Sequence, residues 1–168
     1  KPVRLQGSGL GTIINANPTP ADRISAWHTK AATILTGNPS ANDPFTAVEA
    51  PGIMVLGNGT GAYDADFTAA PSRIDGFQSK GASAGGGIML WTEVANLRIS
   101  NNRITGNQGS ISGGISLGEQ AQLGTLYNNP DIVIENNQVF LNGGITGAGG
   151  IGIFTGATGA AWFWMNRC

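Results

Sequence analysis

The sequence predicts an all-β fold built as a coil, with about four circuits of short stacked strands and one inserted α-helix, in a single domain over residues 1–168. Three observations carry that expectation: a ten-residue unit that recurs, a glycine-led apolar pulse after each copy, and period-2 alternation inside both.

The recurring unit is clearest where "RISNNRITGN" (Arg98 to Asn107) aligns position by position with "VIENNQVFLN" (Val133 to Asn142), 35 residues later. A weaker copy, "RIDGFQSKGA" (Arg73 to Ala82), lies 25 residues before the first, with Gly76 and Phe77 in place of the two asparagines. The pulses are "PGIMVL", "GGGIML", "SGGISL" and "AGGIGI", and their anchors Ile53, Ile88, Ile115 and Ile151 are 35, 27 and 36 residues apart. Such spacing is one circuit of a coil with loops of variable length.

Each circuit offers three strands. In the third these are Leu97 to Ser100, Arg103 to Thr105 and Gly114 to Leu117, which alternate apolar and polar residues with no period of 3.6. "VRLQG" (Val3 to Gly7) and "TIINA" (Thr12 to Ala16) supply the first circuit's first two strands. An insertion at about residues 17–50 separates them from the third. There Thr19 as N-cap, Pro20 at the first helical position and Asp22 predict a helix from about Pro20 to Leu35, ended by "TGNP". Ile24, Trp27, Ala31, Ile34 and Leu35 fall on one face, suited to covering strand surface or to a partner. His28, the only histidine, has no second histidine for a metal site.

Strands stacked in register about 4.8 Å apart make a parallel β-helix, in which neighbouring circuits bury a shared core. The asparagines then have a role at the corner between first and second strands. Asn101 and Asn102 lie over Asn136 and Asn137, where side-chain amides can bond from circuit to circuit as a ladder. Asn also tolerates the left-handed conformation of a tight corner.

This pattern resembles the right-handed parallel β-helix superfamily of pectin- and alginate-processing enzymes and long secreted bacterial repeat proteins. The opening "KPVRLQGSG" with "TIINA" looks most like the interior of one of those long proteins. The resemblance covers nearly all of the chain outside residues 17–50. It implies a right-handed coil and an extracellular or cell-surface location, and it is unspecific for activity.

In the superfamily's lyases, Asp carboxylates on an outward sheet face hold calcium and an Arg acts as base; its hydrolases use paired carboxylates. Here the outward positions of the pulses are Met54, Leu56, Met89, Trp91, Ser116, Gly118, Gly152 and Phe154, and none is charged. The expectation is therefore no catalytic residue, no metal site and no cofactor. The stripe Leu56, Met89, Trp91 and Phe154 fits a surface covered by loops, or a shallow platform on which sugars stack.

Charge gathers instead on the sheet of Arg73, Asp75, Arg98, Ser100 and Glu135, with Arg103 just past the corner, and cross-circuit ion pairs are expected there. Asp64 and Asp66 in "YDADF" are a weak calcium signal, and "NGT" at Asn58 fits a glycosylation sequon. A net charge of −1 with no basic run argues against nucleic acid as a partner. The uncharged stretch from Asn136 to Asn166 is too rich in Gly, Asn and Thr for a membrane span. Cys168, the only cysteine, permits no intrachain disulfide, and no signal peptide is visible.

A short coil has two open ends with free strand edges. The aromatic tail at 161–168 alternates Trp162 and Trp164 with Phe163 and Met165, so both of its faces want cover. Two outcomes are expected: continuation into a longer β-helix, or end-to-end stacking of copies into a fibre, with Trp91, Phe154, Trp162 and Trp164 as candidate self-association or sugar-stacking residues. The expected function is a non-catalytic structural module that stacks or binds a surface or polysaccharide. The alternative is a fragment or relative of a lyase, hydrolase or epimerase acting on acidic polysaccharide.

Overall fold

The computed structural model describes residues 3–16, 21–34, 50–56, 71–91, 94–110, 112–118, 129, 131–145 and 147–154. Strands β1 (Arg4–Gln6) and β2 (Ile13–Asn15) precede helix α1 (Ala21–Ile34), and β3 (Ile53–Leu56) follows it. Next come β4 (Ser72–Asp75), β5 (Gln78–Lys80) and β6 (Ile88–Trp91), then β7 (Leu97–Ser100), β8 (Arg103–Thr105), β9 (Gln108–Gly109) and β10 (Ile115–Gly118). The last are β11 (Ile132–Glu135), β12 (Gln138–Phe140), β13 (Gly143–Gly144) and β14 (Ile151–Phe154).

These strands form three four-stranded sheets, ordered β1-β4-β7-β11, β2-β5-β8-β12 and β3-β6-β10-β14. Every pairing among the named strands is parallel. The chain visits the three sheets in turn, so each circuit lies on the one before. Register follows the repeat: Arg73 pairs with Arg98 and Arg98 with Val133, while Ile53, Ile88, Ile115 and Ile151 form one column.

Several expected boundaries shift. The third-sheet strand of the third circuit is Ile115–Gly118 rather than Gly114 to Leu117, because Gly114 contributes its carbonyl to Ile88 and belongs to the approach. The helix is Ala21–Ile34; Thr19, Pro20 and Leu35 lie outside the described residues. A two-stranded sheet of β9 and β13, unforeseen from sequence, joins the third and fourth circuits.

Inward columns make the core. Ile74 with Ile99, Ile88 with Ile115, Leu90 with Leu117, and Ile104 belong to one buried cluster. A fully buried aliphatic side chain contributes about 1.5–3 kcal/mol, so these stacked columns are a large source of the fold's stability. The glycine before three of the anchor isoleucines, Gly52, Gly87 and Gly114, is there for clearance. A side chain at Gly114 would run into the Gly150 carbonyl and Val139, and one at Gly87 into Ile104.

The corners repeat as strictly as the strands. Between the first and second sheets, Gly76, Asn101 and Asn136 take positive φ of 75, 57 and 54°. The next residue points inward: Asn102 Nδ2 donates to Asn137 Oδ1 at 3.0 Å and to the Ile74 carbonyl at 3.0 Å, while Asn102 Oδ1 accepts the Phe77 amide at 3.0 Å. The ladder is therefore carried by Asn102 and Asn137. Asn101 and Asn136 do not join it, because the left-handed turn points them outward. A second ladder stands at the next corner, where Asn107 Nδ2 donates to Asn142 Oδ1 at 3.0 Å and Asn107 Oδ1 accepts the Ala82 amide at 3.1 Å. Both ladders satisfy backbone groups that the turns would otherwise bury unpaired.

Candidate functional site

The outward face of the first sheet carries two polar columns. One reads Arg4, Arg73, Arg98, Val133; the other reads Gln6, Asp75, Ser100, Glu135. Sequence alone pairs the arginines with both carboxylates, and the structure divides the roles. Arg98 Nη1 lies 3.3 Å from Glu135 Oε1 across circuits. Asp75 instead accepts three neutral donors: Gln6 Nε2 at 2.6 Å, Asn101 Nδ2 at 2.7 Å and Ser100 Oγ at 2.8 Å. Those bonds, Ser100's foremost and then Asn101's, hold the carboxyl below the usual carboxylate range against the opposing effect of burial, with Gln6 and the Arg73 charge adding to them. Such a carboxylate is a structural acceptor, poorly placed to take a proton near neutral pH. Arg103, past the corner, donates through Nε to Gln138 Oε1 at 2.9 Å.

The outer side of the third sheet is not a solvent-facing platform. Trp91 and Met89 are 0% exposed, and Met54 and Leu56 pack against them in a second apolar cluster. A sugar cannot stack on an indole that solvent does not reach, so Trp91 is a packing residue. Phe154 lies in β14 opposite Gly118, a backbone position only, and its side chain is outside the described residues. Trp162, Trp164, Asp64, Asp66, Asn58 and Cys168 also lie outside them.

Helix α1 brings Arg23, Ile24 and Trp27 beside Ala50, Pro51 and Met54, around an open recess of about 270 Å³. Met54 is on the outer side of the third sheet, so the helix sits against that flank. His28 is half-buried next to Trp27 in the chain. Among the described residues no group of three or more His, Cys, Asp or Glu could hold a metal ion, and no helix is long and apolar enough to cross a membrane.

The two ends of the stack differ from its middle. In one inward column Ile74 and Ile99 are 3% and 0% exposed, whereas Leu5, at the β1 edge, is 38% exposed. Ile134 and Val139, at the other edge, are only half-buried. Each edge strand also has one side without a described neighbour. Sequence reasoning missed the second ladder and the Gln6 and Asn101 donors. The ladder had a visible signal, since Asn107 and Asn142 both close the aligned ten-residue unit; the Gln6 and Asn101 donors to Asp75 come from positions 69 and 26 residues away and had none. Compared with known proteins, the chain matches no family model, no curated protein and no solved structure.

Proposed function

We propose that this chain is a right-handed parallel β-helix module, extracellular and non-catalytic, whose work is structural and is done through its ends. The observation that carries the reading is the exposure of core-column residues such as Leu5 at the outermost described strands. Right-handedness is the near-universal sense for parallel strands joined by crossovers, and the extracellular placement follows the resemblance of the repeat to secreted β-helix proteins. An open strand edge over apolar core is a template for another strand of the same pattern. The catalytic alternative would want free carboxylates on an outward face; the column Met54, Met89, Ser116, Gly152 carries none, and on the first sheet Asp75 is held by three neutral donors and Glu135 is paired with Arg98.

The test is light scattering over a concentration series, with negative-stain images of the same samples. Growth into rods or filaments with rising concentration supports the reading, and replacing both Trp162 and Trp164 by Ala tests whether the aromatic tail takes part. A strict monomer at the highest concentration overturns it, and binding or cleavage of acidic polysaccharide becomes the next assay.

A further inference from the structure

We infer that copies of this chain join head to tail with β11 of one pairing in parallel with β1 of the next, in the register already used inside the molecule, and that Glu135 bridges the junction to Arg4 of the following copy. The inference rests on the end-to-end reading and specifies its partner, direction and register.

Three features of the structure converge on it. Extending each column by one circuit places Leu5 over Ile134 and Ile14 over Val139, so the apolar interior continues without a polar residue intruding. The edges carry opposite charge among the described residues: Arg4 on β1, and Glu135 with Asp131 at β11. The third feature is the break in the arginine column. Arg4, Arg73 and Arg98 stack in consecutive circuits, and the fourth position is Val133. A following Arg4 would therefore land beside valine and not beside a fourth arginine. Its diagonal neighbour would be Glu135, which Arg98 of the preceding circuit approaches from the opposite side at 3.3 Å. One carboxylate would then sit between two guanidinium groups, one from each copy, and like-charge contact at the junction is avoided.

Reversing the direction loses this arrangement. Two β1 edges facing each other would bring Arg4 towards Arg4, and two β11 edges would oppose Glu135 and Asp131. A heterologous contact of this kind does not close on itself and yields a filament.

The experiment uses the full chain with Cys168→Ser throughout. Asn15 and Phe140 are the outward β2 and β12 residues that the extended register places on adjacent strands, about 4.8 Å apart and within disulfide reach. Asn15→Cys with Phe140→Cys is expected to give an intermolecular disulfide ladder on oxidation, while Asn15→Cys with Val133→Cys, on different sheets, is not. Arg4→Glu alone is expected to weaken association at least tenfold at low salt, and adding Glu135→Gln to the same chain, which removes the Glu–Glu contact at the junction without setting a cation against Arg98, to recover part of it; circular dichroism confirms that each variant is folded. Assembly of the parent with no selectivity between the cysteine pairs, or with no effect of Arg4→Glu, overturns this register and leaves the end-to-end reading standing. A parent that never assembles overturns both.

Discussion

Asn101 and Asn102 are adjacent and identical, yet their substitution should have different consequences. Asn102 is buried and bonds two neighbouring circuits. Asn102→Ala leaves the Phe77 amide and the Ile74 carbonyl without these partners and is expected to cost about 2–4 kcal/mol in denaturant titration. Asn101 is exposed at φ 57°, a conformation glycine adopts freely, so Asn101→Gly should cost under about 1 kcal/mol, mainly through the lost bond to Asp75. Leu141 takes the same backbone conformation at the second corner, at φ 54° and 82% exposed, where the stacked residues in earlier circuits are Gly81 and Gly106. A leucine there carries left-handed strain without burying its side chain, so Leu141→Gly is expected to stabilise by about 0.5–1 kcal/mol, read as a higher melting temperature. Asp75 ties part of the first sheet's stability to pH. Its folded pKa lies below the unfolded value of about 3.9, so its contribution is complete above that pH and is lost as pH falls through the folded value. Stability measured from pH 6 down to pH 2 should fall more steeply below about pH 4 for the parent than for Asp75→Asn.

At the scale of the elements, the third sheet has apolar residues on both sides, and that doubles its demands. Trp91 is expected to behave as core: Trp91→Ala should lower stability by about 3–5 kcal/mol without being rescued by any sugar. This face marks a limit of reading strands from sequence. Alternation places Ile88 and Leu90 opposite Met89 and Trp91, but it cannot say whether the second side meets water, because cover comes from elsewhere in the chain. Register was legible because the isoleucine and asparagine columns recur at fixed positions and a one-residue slip would turn every core residue outward. The β9–β13 pair was not, since Gln108–Gly109 and Gly143–Gly144 carry no apolar alternation to announce a strand. Helix α1 was legible from its start signals and apolar face, and its position beside Met54 was not. Of the candidate site, the two outward columns of the first sheet were visible as residues. Their division into one ion pair and one carboxylate held by neutral donors depends on side chains converging from three circuits.

For the whole molecule, stability should be graded along the stack. Circuits with neighbours on both sides bury their columns fully, as Ile88, Ile99, Ile104 and Ile115 do at 0% exposure, and an outer circuit has only half of that support. The outer circuits are therefore the first to open and the surfaces with most to gain from a partner. Hydrogen exchange at two protein concentrations tests this most directly, since it reads each strand separately. In dilute solution the amides of β4 and β7 should be protected, and the amides of β1 and β11 on the side with no described neighbouring strand should exchange quickly. At high concentration, protection should rise at β1 and β11 together while β4 and β7 hold steady. Edge strands already protected in dilute solution, or unchanged on concentration, would contradict a molecule that works through its ends.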